Sequence, residues 1–80
     1  MLDEIMEQVG TMLKKKIHVE GMQPDSILKE YGVDSYQIME VIVEAELYYH
    51  MEFAPEVLTD ENLKSIRSIS SQIASALKKE

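Results

Sequence analysis

The stretch Ser35–Tyr49, SYQIMEVIVEAELYY, decides the fold, because it can be read in two ways. Ile38, Val41, Ile42 and Val43 are β-branched, which favours a strand. Its length exceeds that of an ordinary strand, and Glu40 and Glu44 stand one helical turn apart, so the stretch is predicted to be a helix. Ile38, Met39, Val41, Ile42, Ala45, Tyr48 and Tyr49 then form a broad apolar arc. Gln37, Glu40, Glu44 and Glu46 are left for water. Asp34 or Ser35 is placed to cap the first turn, since a short side-chain oxygen can accept from an orphan backbone N–H.

Upstream, Leu2, Ile5, Met6, Val9, Met12 and Leu13 recur at helical spacing, so a first helix is expected from Leu2 to about Lys16. Asp3, Glu4 and Glu7 near its start and Lys14, Lys15 and Lys16 near its end suit the helix dipole. Gly10 lies off that stripe, where it costs helix propensity and leaves room for a neighbour. From Ile17 to Asp34 the period fails, and Gly21, Pro24 and Gly32 punctuate the segment. A long loop is expected there, pinned by Ile27, Leu28, Tyr31 and Val33, with a single turn near Ser26–Glu30. Loops of this length in small domains tend to be functional. Downstream, Pro55 ends the apolar patch Met51–Ala54, and Thr59 or Asp60 starts a short turn over Glu61–Lys64. Ser65 caps a last helix from Ile66 to about Lys78, with Ile66, Ile69, Ile73, Ala76 and Leu77 as its stripe and Lys78 and Lys79 at its end. The expected fold is all-α, with three main helices, one short helix and a long first loop.

Eighty residues allow a single domain over 1–80 and no second core. Without cysteine there is no disulfide framework and no thiolate metal site, and two histidines make a zinc site unlikely on composition. With one Phe, four Tyr and no Trp, the core must be Ile, Leu, Val and Met. Met6, Met12 and Met39 are expected in it. The net charge of −7 excludes the dense basic surface that nucleic acid requires. No apolar run approaches the roughly 18 residues of a membrane span. The N-terminus, with Asp3 and Glu4, has no secretory pattern. A cytoplasmic monomer is expected, and the initiating Met with the compact length favours a free-standing protein.

The acids are unevenly placed. Asp34, Glu40, Glu44, Glu46, Glu52, Glu56 and Asp60 lie between Glu30 and Glu61, with no Lys or Arg among them. An acidic stretch is ordinarily a solubility surface. Exclusion of the opposite sign over a whole helix favours a docking face for basic partners. Asp60-Glu61-Asn62 lacks the Gly and distal Glu of a calcium loop, and no Gly-rich phosphate loop is present. Nor is there a nucleophile elbow: Ser35 is not in Gly-x-Ser-x-Gly, and His18 and His50 are distant in sequence, so a self-contained hydrolase is set aside.

Gly32-Val33-Asp34-Ser35-Tyr36 resembles the Gly-x-Asp-Ser-Leu signature of the acyl carrier protein family, which includes peptidyl and aryl carriers. Gly32, Asp34 and Ser35 match, and Tyr36 replaces the usual Leu. The resemblance extends to chain length, helix order, the long first loop, Glu40, and Leu63-Lys64-Ser65-Ile66 before the last helix. It implies a four-helix bundle in which Ser35 carries a 4′-phosphopantetheine arm. A phosphopantetheinyl transferase attaches that arm from coenzyme A, and its thiol holds acyl or aminoacyl groups as thioesters. Asp34 is implied to assist near the transferase's magnesium, and Gly32 to supply a turn or a positive φ. Tyr36, Met39, Glu40, Val43 and Glu44 are implied as partner contacts. Partners would be the transferase, an acyl- or aminoacyl-loading ligase, and synthases or transferases with basic docking patches. The chain would be their substrate, not an enzyme. Tyr36, and Gln37 where fatty-acid carriers are often acidic, favour polyketide, nonribosomal peptide or other specialised biosynthesis. A fatty-acid carrier, an unmodified acidic helical adaptor and a carrier-like structural subunit stay open as alternatives.

Overall fold

Three apolar stripes at helical spacing meet to make the core, and they define the three helices. In the computed structural model, which describes residues 2–17 and 21–78, α1 spans Leu2–Lys16, α2 Ser35–Tyr49 and α3 Ile66–Lys78. His18 and Lys79 lie outside the described residues. α1 buries Ile5, Val9, Met12 and Leu13, with Asp3 and Glu4 in its first turn and three lysines in its last. α2 buries Ile38, Val41, Ile42 and Ala45. α3 buries Ile66, Ile69 and Ile73, and packs against α1, which also packs, less extensively, against α2. Among the described residues there is no strand, and no helix is long and apolar enough to cross a membrane.

The long loop is pinned by two of its four expected anchors: Leu28 and Val33 are buried, while Ile27 and Tyr31 are only half-buried, and a short 3-10 turn covers Leu28–Tyr31. Backbone bonds sew the loop to the segment before α3 and to the first turn of α3. Leu28 N–H donates to Lys64 O at 2.8 Å, and Arg67 N–H to Pro24 O at 2.9 Å. The Arg67 guanidinium adds an ion pair to Asp25 at 2.6 Å. Ser65 and Ser68 cap α3 reciprocally: Ser68 N–H donates to Ser65 Oγ and Ser65 N–H to Ser68 Oγ.

The piece expected as a single turn over Glu61–Lys64 is a turn, in which Asn62 N–H donates to Thr59 Oγ1, and the second 3-10 helix falls at Pro55–Val57, where proline fixes the first φ. Four other expectations need correcting in detail. Met39 and Tyr48 leave the core arc of α2 and stand 40% and 55% exposed. The buried arc needs only Ile38, Val41, Ile42 and Ala45, and residue 39 is turned about 100° from residue 38. Met6 is only partly buried, whereas Met51 is inside. Glu46 is half-buried, not wet, because its carboxylate accepts from Phe53 N–H at 2.9 Å and fastens the chain after α2. Gly10 meets no close neighbour: a methyl there would stand 3.9 Å from Ile66 Cδ1.

Among the described residues, one buried side-chain polar atom lacks compensation. Ser70 is fully buried in α3 and its Oγ has no hydrogen-bond partner. A buried unsatisfied hydroxyl costs its desolvation, so Ser70→Ala is expected to stabilise the fold by about 1 kcal/mol. For a domain this small, that is about 4–8 °C in melting temperature. A lower melting temperature would show that the hydroxyl is satisfied in solution.

Candidate functional site

The loop delivers its last residues to the head of α2 through a defined set of turns. Gly32 closes the first 3-10 turn at φ 85°, its N–H bonded to Lys29 O at 3.2 Å. That left-handed backbone is the reason for glycine. Val33 is driven into the core, with its N–H on Leu28 O at 3.2 Å. Asp34 follows in extended conformation as the N-cap of α2. Asp34 Oδ1 accepts from Gln37 N–H at 2.8 Å, while Gln37 Oε1 accepts from Asp34 N–H at 3.1 Å. This is a complete capping box.

Of the two residues proposed as the cap, Asp34 takes the role, and Ser35 is left as the first helical residue. Ser35 is exposed, and its hydroxyl makes no hydrogen bond among the described residues. The N–H groups of Ser35 and Tyr36 are likewise without partners there, since the box occupies Gln37 N–H and Ile38 N–H donates to Asp34 O at 3.1 Å. The first turn of α2 holds no acidic residue. An exposed, unengaged hydroxyl beside free N–H groups at the positive end of a 15-residue helix is a fitting seat for a phosphate ester. Among the described residues, no histidine stands beside it as a base. His50 caps the other end of α2 in left-handed conformation, about 22 Å along the axis. Among the described residues, no three His, Cys, Asp or Glu side chains are grouped to hold a metal ion.

The implied contacts of α2 divide. Tyr36, Met39, Glu40 and Val43 are exposed. Glu44 is engaged within the chain: Lys15 Nζ lies 3.3 Å from its Oε2 and Lys16 Nζ 3.3 Å from its Oε1. Burial alone would raise its carboxyl pKa, but the two ammonium groups outweigh it and hold the pKa below the ordinary value. The run without Lys or Arg is therefore not one-signed in space. Lysines from the end of α1 fold onto it, and Lys29 approaches Asp60 at 3.9 Å. Leu47, which the sequence reading left unassigned, lines a shallow groove of about 440 Å³ with Tyr36, Met39, Val43 and Lys16. Its signal was the second apolar period 36, 39, 43, 47 beside the buried one.

A family model described as the phosphopantetheine attachment site matches residues 3–73. The chain belongs to this family. It is a phosphopantetheine carrier protein, and its cofactor is covalent 4′-phosphopantetheine. The carrier fold is also that of a chain in the crystal structure of the Bradyrhizobium japonicum glycine:[carrier protein] ligase complexed with glycylated carrier protein. That chain is similar at a TM-score of 0.71 and 17% identity, over 89% of the present chain and 96% of its own length. No curated protein sequence gives a significant match.

Proposed function

We propose that Ser35 Oγ is the atom that bears the arm, and that the chain presents it to enzymes of a specialised biosynthetic pathway. The observation that carries this reading is the free hydroxyl. Asp34 and Gln37 complete the cap between themselves, so Ser35 Oγ at the head of α2 serves no structural purpose. In the attachment step, Ser35 Oγ forms a bond to the pantetheine-bearing phosphorus of coenzyme A. The bond to the nucleotide breaks, 3′,5′-ADP leaves, and the hydroxyl proton is lost to a base of the transferase. The N–H groups of Ser35 and Tyr36 and the helix dipole then favour the phosphodiester's negative charge. Once bound, the arm supplies a thiol on which acyl or aminoacyl groups are held as thioesters.

The other residues support this use. Gly32 and buried Val33 fix the approach to the helix, and Asp34 is placed one residue from Ser35 to help order a transferase's magnesium. Tyr36, Met39, Glu40 and Val43 offer exposed surface on the same helix. Besides the transferase, the partner classes are an acyl- or aminoacyl-loading ligase and the synthases that draw on the cargo. A glycylated carrier seen with its ligase in a protein of the same fold is consistent with the aminoacyl option. Tyr36 and Gln37, departing from the fatty-acid pattern, support the specialised pathway. The chain acts as a substrate of these enzymes and as a monomer.

Incubation with coenzyme A, magnesium and a broad-specificity phosphopantetheinyl transferase is expected to add the mass of one arm, mapped by fragmentation to residue 35. No gain under conditions that load a control carrier would favour the unmodified adaptor. The cargo on protein isolated from cells, read by intact mass, separates a fatty acyl chain from an amino acid or a polyketide unit.

A further inference from the structure

Tyr48 stands apart from the other exposed apolar side chains of α2. Residues 36, 39, 43 and 47 follow one line along the helix, and residue 48 is turned about 100° from residue 47. It lies at the far end of the bundle from Ser35, where the first turns of α1 meet the last turns of α2 and α3 around a cleft of about 450 Å³. That volume is within the range of ordinary ligand sites, about 300–1,000 Å³. Ile5 and Leu77 line the cleft with apolar surface, and Glu4 and Glu7 with carboxylates. Among the described residues no Lys or Arg lines it, and Lys78, one residue past Leu77, is exposed. Tyr48 and Tyr49 pack edge to face, with ring centroids 4.8 Å apart and planes at 77°. This packing holds the Tyr48 ring in place while 55% of the residue stays open to water. Burial foremost, then the neighbouring Tyr48 and Glu4, push the Tyr49 hydroxyl above the ordinary phenol range. It stays protonated, so the carboxylates set the charge of the cleft.

We propose that this cleft takes an arginine side chain from a basic segment of a partner protein, and so holds the carrier by the end remote from its arm. An aromatic face attracts a cation through its quadrupole, and carboxylates beside it add to the attraction. Arginine fits better than lysine. Its planar, weakly hydrated guanidinium stacks on a ring and offers a fork of donors to a carboxylate. Ile5 and Leu77 suit an apolar residue next to the arginine. The occupant is not a second copy of this chain. The chain has a single arginine, Arg67, which is paired with Asp25, and two molecules of net charge −7 repel. Tyr48 is about 20 Å along α2 from Ser35. A partner in the cleft therefore leaves the head of α2 open, so one protein can hold the carrier while another works at Ser35. The remoteness of the arm rests on the reading of Ser35 as its attachment site; the cleft does not.

The test is a titration of the isotope-labelled chain with the end-blocked peptide Arg-Leu-Arg, followed by amide chemical shifts. Saturable shifts are expected at Glu7, Tyr48, Tyr49 and Leu77, and not around Glu40. The peptide Lys-Leu-Lys should bind at least about three-fold more weakly. Tyr48→Ser and Glu7→Gln should each weaken the arginine peptide at least about three-fold. Glu7→Gln keeps the size of an exposed side chain, so its melting temperature should match wild type even where Tyr48→Ser loosens the tyrosine pair. Even shifts at acidic residues over the whole surface, or equal binding of the two peptides, overturn the cleft in favour of general attraction to a negative chain. So does wild-type affinity in both variants. With a broad-specificity transferase, saturating peptide should leave the rate of arm attachment within about two-fold. Blocked attachment overturns the remote hold. If the chain without peptide takes no arm, the reading of Ser35 fails, while the shifts still decide the cleft.

Discussion

Ser35→Ala is expected to lose the arm completely while keeping its fold. The substitution removes one oxygen, and that oxygen makes no hydrogen bond among the described residues. The cap of α2 stays intact, because it is built from the Asp34 carboxylate and the Gln37 amide. Alanine is also the best helix former, and residue 35 is already inside the helix. The stability change should stay within about 0.5 kcal/mol, or roughly 2–4 °C in melting temperature. Other serines are poor substitutes. Ser26 accepts from Gln23 N–H, and Ser65 and Ser68 are bonded to each other. Ser70 is buried, and Ser71 and Ser75 are exposed but sit within α3, where backbone N–H groups are already used. Intact mass and a thermal melt on the same sample check both halves. A retained mass gain would place the arm elsewhere. A large drop in melting temperature would show that the hydroxyl has a structural role. Such a drop, of about 1 kcal/mol, is what the loss of the Asp34 cap would give.

What the sequence made legible was local. The three helices were readable because each carries its own apolar period and its own end signals, such as Asp34 before α2 and the lysines closing α1. The head of α2 was readable because Gly32, Asp34 and Ser35 are adjacent in the chain, and their turns are set by neighbours three to five residues away. The turn Leu28–Tyr31 lay close to its expected place for the same reason. Long-range pairing was not legible. Glu44 lies 29 residues from Lys15, and only the packing of α1 on α2 brings them together. Counting charges along the chain therefore overstated the acidity of α2. The exposure of Met39 and Leu47 was hidden too. α2 has more apolar residues than its core arc can bury, and periodicity alone does not say which ones are left outside.

Ile69→Ala should have the largest effect on stability, for the opposite reason to Ser35→Ala. Ile69 has no exposed surface and lies between Ile66 and Ile73 on the buried stripe of α3, the helix that packs against α1. Removing its outer methyl groups forfeits their transfer energy and leaves a cavity, a loss of about 2–5 kcal/mol. At about 0.05–0.15 kcal/mol per residue, a domain of this length holds only about 4–12 kcal/mol in total. The upper range of the loss would therefore unfold a good part of the population at ambient temperature. Ile69→Val, which deletes a single methylene, should cost about 0.5–1.5 kcal/mol and give a graded control. Denaturant midpoints measure both, with an unchanged m-value indicating that the loss lies in the folded core. Arm attachment should then follow the folded fraction. The loop that presents Ser35 is bonded to the segment leading into α3 through Leu28 and Pro24, so loosening α3 loosens the site. A midpoint near wild type for Ile69→Ala would mean that this stripe is not the seam of the bundle. Weak attachment in a fully folded Ile69→Ala chain would mean that α3 acts on the site by some route other than stability.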